Sequence, residues 1–127
     1  MSYCMSRTIT GEFDAVEARV RAALAAQGFG VVTEIDMQAT LRAKIGAEID
    51  RHVILGACNP GFAHRALQVE PEIGLLLPCN VVIRAAADGI VVDVIDPQMM
   101  TDLAQSPQMQ AIADEVGEKL SAALASV

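Results

Sequence analysis

Residues Ile54 to Ile83 read ILGACNPGFAHRALQVEPEIGLLLPCNVVI, and this stretch decides the fold. It carries two Cys-Asn dipeptides, Cys58-Asn59 and Cys79-Asn80, each beside an apolar run. His52 to Cys58 has the length and composition of a strand. Asn59-Pro60 then supplies an N-cap residue and a first-turn proline, which predicts a helix. Glu70-Pro71 stops that helix, since the residue before a proline avoids the helical region. Ile73 to Arg84 predicts the next strand. Alternation puts Leu75, Leu77, Cys79, Val81 and Ile83 on one wholly apolar face, where helices should pack. Gly74, Leu76, Pro78, Asn80, Val82 and Arg84 take the other face, with Pro78 marking an edge position or a bulge. Ala87-Asp88-Gly89 turns the chain into Ile90 to Ile95, an antiparallel partner.

The flanking sequence extends this pattern. Tyr3 to Ile9 alternates as a strand, with Arg7 interrupting its apolar side. Phe13 to Gln27 predicts a helix with the stripe Val16, Val20, Ala23 and Leu24. Asp14 and Glu17 have capping-box spacing, Phe13 sits as a hydrophobic staple would, and Glu17 and Arg21 form an i,i+4 pair. Gly28 is placed to end the helix in a left-handed cap. Gly30 to Ile35 is a strand, and Asp36 caps a short helix in which Met37, Leu41 and Ile45 align before Gly46 closes it. After Asp96-Pro97, Gln98 to Gln105 reads as a loop or single turn. Ser106-Pro107 opens the last helix, whose stripe runs through Met109, Ile112, Ala113, Val116, Leu120, Ala123, Leu124 and Val127. The expectation is an α+β fold in a single domain, 1–127. A five-stranded antiparallel sheet is covered on one face by two long helices, in the order β-α-β(4)-α with short helical inserts.

Composition narrows the function classes. The chain has 127 residues, 53% hydrophobic and 20% charged, enough for a core without disulfides or metal. Aromatics are 3% with no Trp, so the core is aliphatic and a base-stacking platform is disfavoured. A net charge of -7 repels phosphate, which argues against nucleic acid and anionic membrane surfaces as partners. No apolar run reaches membrane-span length, and MSYCMSRTIT has no apolar signal core, so a cytoplasmic location is expected. Cys4, Cys58 and Cys79 then read as thiols rather than a disulfide framework.

The segments Leu55-Gly56-Ala57-Cys58-Asn59-Pro60 and Gly74-Leu75-Leu76-Leu77-Pro78-Cys79-Asn80-Val81-Val82 resemble those of the domain of unknown function 302 family. Gln27-Gly28-Phe29-Gly30-Val31 and Ile95-Asp96-Pro97 fit as well, and the resemblance runs from about Arg7 into the last helix. It implies an α+β domain similar to the TATA-binding-protein type of sheet and helices, often dimeric. It also implies export or a link to sulfur metabolism for many members, from which the N-terminus here departs. It carries no catalytic residues and no DNA binding.

The candidate ligand-binding residues are Cys58, Asn59, Cys79 and Asn80. Cys58 precedes a helix N-cap, where unpaired N–H groups and the helix dipole favour a thiolate; a small buried hydrophobe is the plain alternative. Cys79 falls on an apolar strand face and reads as core unless the two dipeptides converge. Asn59 is most economically the N-cap. Asn80, inside a Leu/Val run, needs hydrogen-bond partners or a ligand. His64 and Glu70 lie on the same short helix, but their spacing from Cys58 matches no metal motif, and neither a metal nor a cofactor is assigned. His52 reads as a strand-edge residue, and Glu34, Asp36 and Asp96 as solvated acids or caps. Whether a reaction is catalysed stays open. Two functions follow: a non-enzymatic dimeric module binding a small molecule or partner at the Cys-Asn segments, or a thiol-dependent redox or metal-linked protein with Cys58 as the reactive group. The homodimer is expected because the face without helices keeps Val32, Leu76, Val82, Val91 and Ile95 in water.

Overall fold

The computed structural model describes residues 3–127; Met1 and Ser2, which open the segment read for a signal core, lie outside them. Five strands form one antiparallel sheet: β1 (Cys4–Ile9), β2 (Gly30–Asp36), β3 (His52–Cys58), β4 (Cys79–Ala86) and β5 (Gly89–Ile95). Their spatial order is β1-β5-β4-β3-β2, so the first two strands in the chain are the two edges. Helices α1 (Phe13–Ala26) and α5 (Pro107–Ala125) pack on one face and touch each other. Between β3 and β4, helix α3 (Pro60–Val69) joins them against α5, and Arg65 Nη1 donates to Glu115 at 2.8 Å. Helix α2 (Met37–Ile45) stands at the β2 edge with no buried residue, and α4 (Gln98–Leu103) precedes α5. The expected α+β architecture and element order hold. Among the described residues no helix is long and apolar enough to cross a membrane.

The core is aliphatic. Leu55, Val81, Ile83 and Val92 of the sheet meet Val16, Leu24, Met109, Ile112 and Leu120 of the helices. The predicted stripes are buried on both long helices, except that Val127 lies beyond the end of α5 and is half-buried. Arg7 has a reason to sit on the apolar side of β1. It pairs with Val92 on the helix-facing side, and its Nη1 donates to the carbonyls of Leu124 at 3.0 Å, Ala125 at 3.0 Å and Val127 at 2.9 Å. A cation therefore binds acceptors at the end of α5, at the negative end of its dipole.

The ends of α1 split between confirmation and correction. Gly28, at φ 85°, lets its own N–H reach Ala25 O at 3.0 Å and the N–H of Phe29 reach Leu24 O at 2.9 Å. These are the two bonds of a Schellman ending, with buried Phe29 packing beneath it. At the other end the capping box is absent. Glu12 is the N-cap and makes no side-chain bond, and Asp14 instead accepts from Arg51 Nη1 at 2.8 Å. That guanidinium lies 4.0 Å from the centroid of Phe13, the first residue of the helix rather than a staple outside it. The Glu17–Arg21 pair forms at 3.0 Å, Asp36 caps α2 through Ala39 N–H at 2.9 Å, and Ser106 caps α5 through Met109 N–H at 3.0 Å.

Two further sequence expectations fail. The strand expected over Ile73 to Arg84 begins only at Cys79; Pro71–Leu76 is a 3-10 segment, and the Leu77–Pro78 peptide is cis. Leu75, expected to face the helices, is 87% exposed. The apolar run Leu75-Leu76-Leu77 carries no period that separates strand from helix, and Pro71 and Pro78 remove backbone donors a strand would need. The loop or single turn expected over Gln98 to Gln105 is the six-residue helix α4, longer than one turn, whose start is fixed by Asp96 Oδ1 accepting from the Gln98 N–H at 3.0 Å.

Leu120 has no exposed area. Leu120→Ala should lower unfolding free energy by about 2–5 kcal/mol in a urea titration, through lost transfer energy and the cavity left behind. A loss below about 0.5 kcal/mol, the range of ordinary surface substitutions, would show that the stripe of α5 does not pack on the sheet.

Candidate functional site

The two Cys-Asn dipeptides end one strand and begin its neighbour. Register pairs Ala57 with Cys79 and Gly56 with Asn80. Cys79 therefore lies on the helix-facing side with Ala57, while alternation sends Gly56 and Asn80 to the open side. Gly56 has no room for a Cβ: an added one would stand 2.0 Å from Thr33 Oγ1 and 2.7 Å from Pro78 Cγ. Thr33 on β2 and the Pro78 ring close over the sheet at that point. The β2 register shifts between Val31 and Thr33, which brings Thr33 opposite Gly56.

Cys58 is the last residue of β3. By alternation its side chain would leave the sheet opposite to that of Cys79, yet both line one small cavity at the sheet end, with Asn59, Phe62, Leu77 and Met100. The cavity holds about 20 Å³ of space open to water, little more than one water or ion. Beyond the Leu77-Pro78-Cys79 wall lies a second cleft of about 210 Å³, which shares Leu77, Pro78, Cys79 and Met100 with the first. It is completed by Leu76, Asn80, Ile95 and Met99. The structure thus brings Cys58, Asn59 and Cys79 together and sets Asn80 at the adjoining cleft.

The side chains differ from expectation in two respects. Asn59 occupies the N-cap position of α3 by its backbone, with Ala63 N–H donating to its carbonyl at 2.9 Å, but its side chain makes no cap bond. Its Nδ2 instead points at Gln27 O at 3.5 Å, against the Gly28 turn. Asn80 is exposed, so the partners demanded of a buried carboxamide are not required. Cys58 and Cys79 are free, half-buried thiols. Burial, and then the charge of a Cys58 thiolate, push the Cys79 thiol up to about 11. Cys79 is thus a protonated, weakly nucleophilic group at neutral pH.

Phe62 and Met100 are the site residues that sequence reasoning missed. Phe62 was the third residue of the predicted helix, and its 3.6 period could have placed it toward the sheet end. Met100 falls in the stretch that reads as a loop or single turn, and the Asp96 cap signal is the pointer to a helix there. His64 and Glu70 do not line either cavity, and among the described residues no group of three or more His, Cys, Asp or Glu side chains stands together. On the open face Asp93 accepts from Ser6 Oγ at 2.5 Å and Arg84 Nε at 2.9 Å. Partial burial would raise its carboxyl, but these bonds and the charges of Arg84 and His52 outweigh that and hold it below the usual carboxylate range.

The family model described as "Domain of unknown function DUF302" matches residues 5–127. The crystal structure of an uncharacterized conserved protein DUF302 from Bacillus stearothermophilus has a similar fold, with a TM-score of 0.92 at 24% identity, covering 99% of this chain and 98% of that one. No curated protein matches.

Burial of Cys79 has a consequence for stability. A thiol whose folded pKa is raised from 9.0 to about 11 favours the fold fully below pH 9. That advantage is lost as pH rises from 9 towards 11, because the unfolded chain releases the proton first. Urea titrations across this window should show a decline reaching about 3 kcal/mol from this group. Cys79→Ala should flatten the slope, whatever its offset at pH 7; an unchanged slope would mean that the thiol is not held protonated.

Proposed function

The chain belongs to the DUF302 family, and from that premise we propose that it is a small, non-enzymatic binding module whose site is the sheet end where the Cys-Asn segments meet. One observation carries this reading. The 210 Å³ cleft adjoins the thiol-lined cavity, and Leu77, Cys79 and Met100 belong to both. The space lies below the roughly 300–1,000 Å³ of ordinary ligand pockets, which selects a molecule of few heavy atoms. The lining is apolar except for Asn80 and Asp96, so the ligand is mainly apolar with one hydrogen-bonding end. Free thiols at Cys58 and Cys79 suit the reducing cytoplasm, where we place the protein. Indole, an apolar probe with a single N–H donor, should shift amide resonances of Leu76, Asn80, Ile95 and Met99 on titration. Met99→Trp should fill the cleft and remove those shifts without lowering the melting temperature. Shifts scattered over the sheet, or none, would overturn the reading.

The module is proposed to act as a homodimer through the open face. Helices α1, α3 and α5 lie on the other face, and Val82 and Ile95 share the open one with Ile35, Ile54, Asn80 and Arg84; Val91, expected in water there, is only 8% exposed, and Leu76 lies outside the sheet in the 3-10 segment. Leaving apolar area wet forgoes about 25 cal/mol for each Å² that could be buried. Ile35, 44% exposed at the edge, tests the contact without touching the core. Light scattering at micromolar concentration should give twice the chain mass for the native protein and a shift to monomer for Ile35→Lys. A monomer in the native protein would exclude the dimer.

A second reading, thiol chemistry at Cys58, has one observation in its favour. Asn59 gives its side chain to Gln27, so the first turn of α3, beside Cys58, has no side-chain cap.

A further inference from the structure

Three sulfur-bearing residues from three elements line the small cavity: Cys58 at the end of β3, Cys79 at the start of β4, and buried Met100 in α4. We propose that Cys58, Cys79 and Met100 form a binding site for one soft monovalent cation of the Cu(I) type. This inference rests on the sheet end being a binding site and names an occupant for its inner cavity.

The chemistry of the lining selects that class of ion. Hard cations need several oxygen ligands, and of the residues lining this cavity only Asn59 offers a side-chain oxygen. A structural zinc site needs four nitrogen or sulfur ligands, and among the described residues no group of three His, Cys, Asp or Glu side chains assembles. Two thiolates with a thioether match the two- or three-coordinate preference of Cu(I), and soft sulfur ligands select it. The available 20 Å³ suits a bare ion rather than a hydrated one.

The proton balance adds selectivity. Thiols ligate as thiolates, so the ion has to displace their protons. On binding, each thiol gives up its proton to water, each thiolate donates a lone pair to form an S–Cu bond, and Met100 adds a third pair. No atom is oxidised or reduced. Only a cation with strong affinity for sulfur completes this exchange. The product carries one net negative charge, which the uncapped first turn of α3 beside Cys58 offsets.

The test is a competition between the fully reduced protein and the coloured Cu(I)–bicinchoninate complex, followed under nitrogen at pH 7.5. The native chain should withdraw one equivalent of Cu(I). Cys58→Ser and Cys79→Ser should each lose at least a hundredfold in affinity, and Met100→Leu about tenfold. Cys4→Ser should bind as the native chain does. Circular dichroism separates a folding failure from a ligand loss. Protection of Cys58 and Cys79 in the native chain from alkylation by iodoacetamide, on adding one equivalent of Cu(I), provides a readout that needs no variant. No withdrawal of Cu(I), or native affinity in both Cys→Ser variants, would overturn the site. If indole still binds the outer cleft, the soft-ion site alone fails; if indole also fails to bind, the whole reading of the sheet end falls.

Discussion

The pairing of β3 with β4 is the constraint from which the rest of the site follows. Its register sets Ala57 against Cys79 and Gly56 against Asn80, so the two Cys-Asn segments meet across a single strand boundary. This pairing needs a residue without a Cβ at 56, because Thr33 and Pro78 close over that position. The chain between the paired ends must then fold outside the sheet. Helix α3 and the 3-10 segment are that excursion, and they supply Phe62 and Leu77 to the cavity wall. The cavity is a geometric result of closing a sheet end with short helices, and its chemistry comes from which side chains the register delivers there.

The second support is α5. It is the longest helix, and its stripe fills the concavity between α1, α3 and the sheet. Burying an aliphatic surface of this kind has no direction of its own, so something has to fix the helix axially. Arg7 does so from the sheet edge by binding three carbonyls of the last turn, and the Ser106 side chain does so at the first turn. Two of the four aromatics sit at the two ends of α1: Phe13 beneath the Arg51 guanidinium at its start, and Phe29 under the turn after its end. An aliphatic core with few rings thus relies on charged and glycine-dependent ends for its orientation.

The two faces of the sheet solve opposite problems. On the helix face the strand residues are apolar apart from Arg7, which reaches the end of α5, and the β2 edge, where Glu34 opposite Leu55 pairs with Arg21 of α1 and Asp36 opposite Val53 caps α2. The open face mixes aliphatic positions with the Ser6, Asp93 and Arg84 cluster, in which each polar group has a partner. Cys58 and Cys79 lie where these regimes meet, at the sheet end, and both line the small cavity there. This position explains why one strongly resists ionisation while standing beside an opening to solvent.

Much of this was legible in the residues, because local rules write themselves locally. The stripe from Met109 to Leu124, the Asp-Gly turn, the Gly28 ending and the Asp36 and Ser106 caps each depend on a few neighbouring positions, and the structure contains them all. The sequence by itself therefore determined the α+β class, the element order and the two Cys-Asn loci. It did not determine where β4 begins, since Leu75-Leu76-Leu77 satisfies strand and helix equally and only the closure of Pro78 over Gly56 decides between them. Nor did it determine that Asn59 would turn to Gln27, that Asn80 would reach solvent, or that Met100 would join the two thiols. Those outcomes depend on which distant segments the register brings within a few ångströms, and a one-residue change in pairing would reverse every facing along the strand. Tertiary structure decided the site, because its residues come from different strands and helices that only the assembled sheet end holds together.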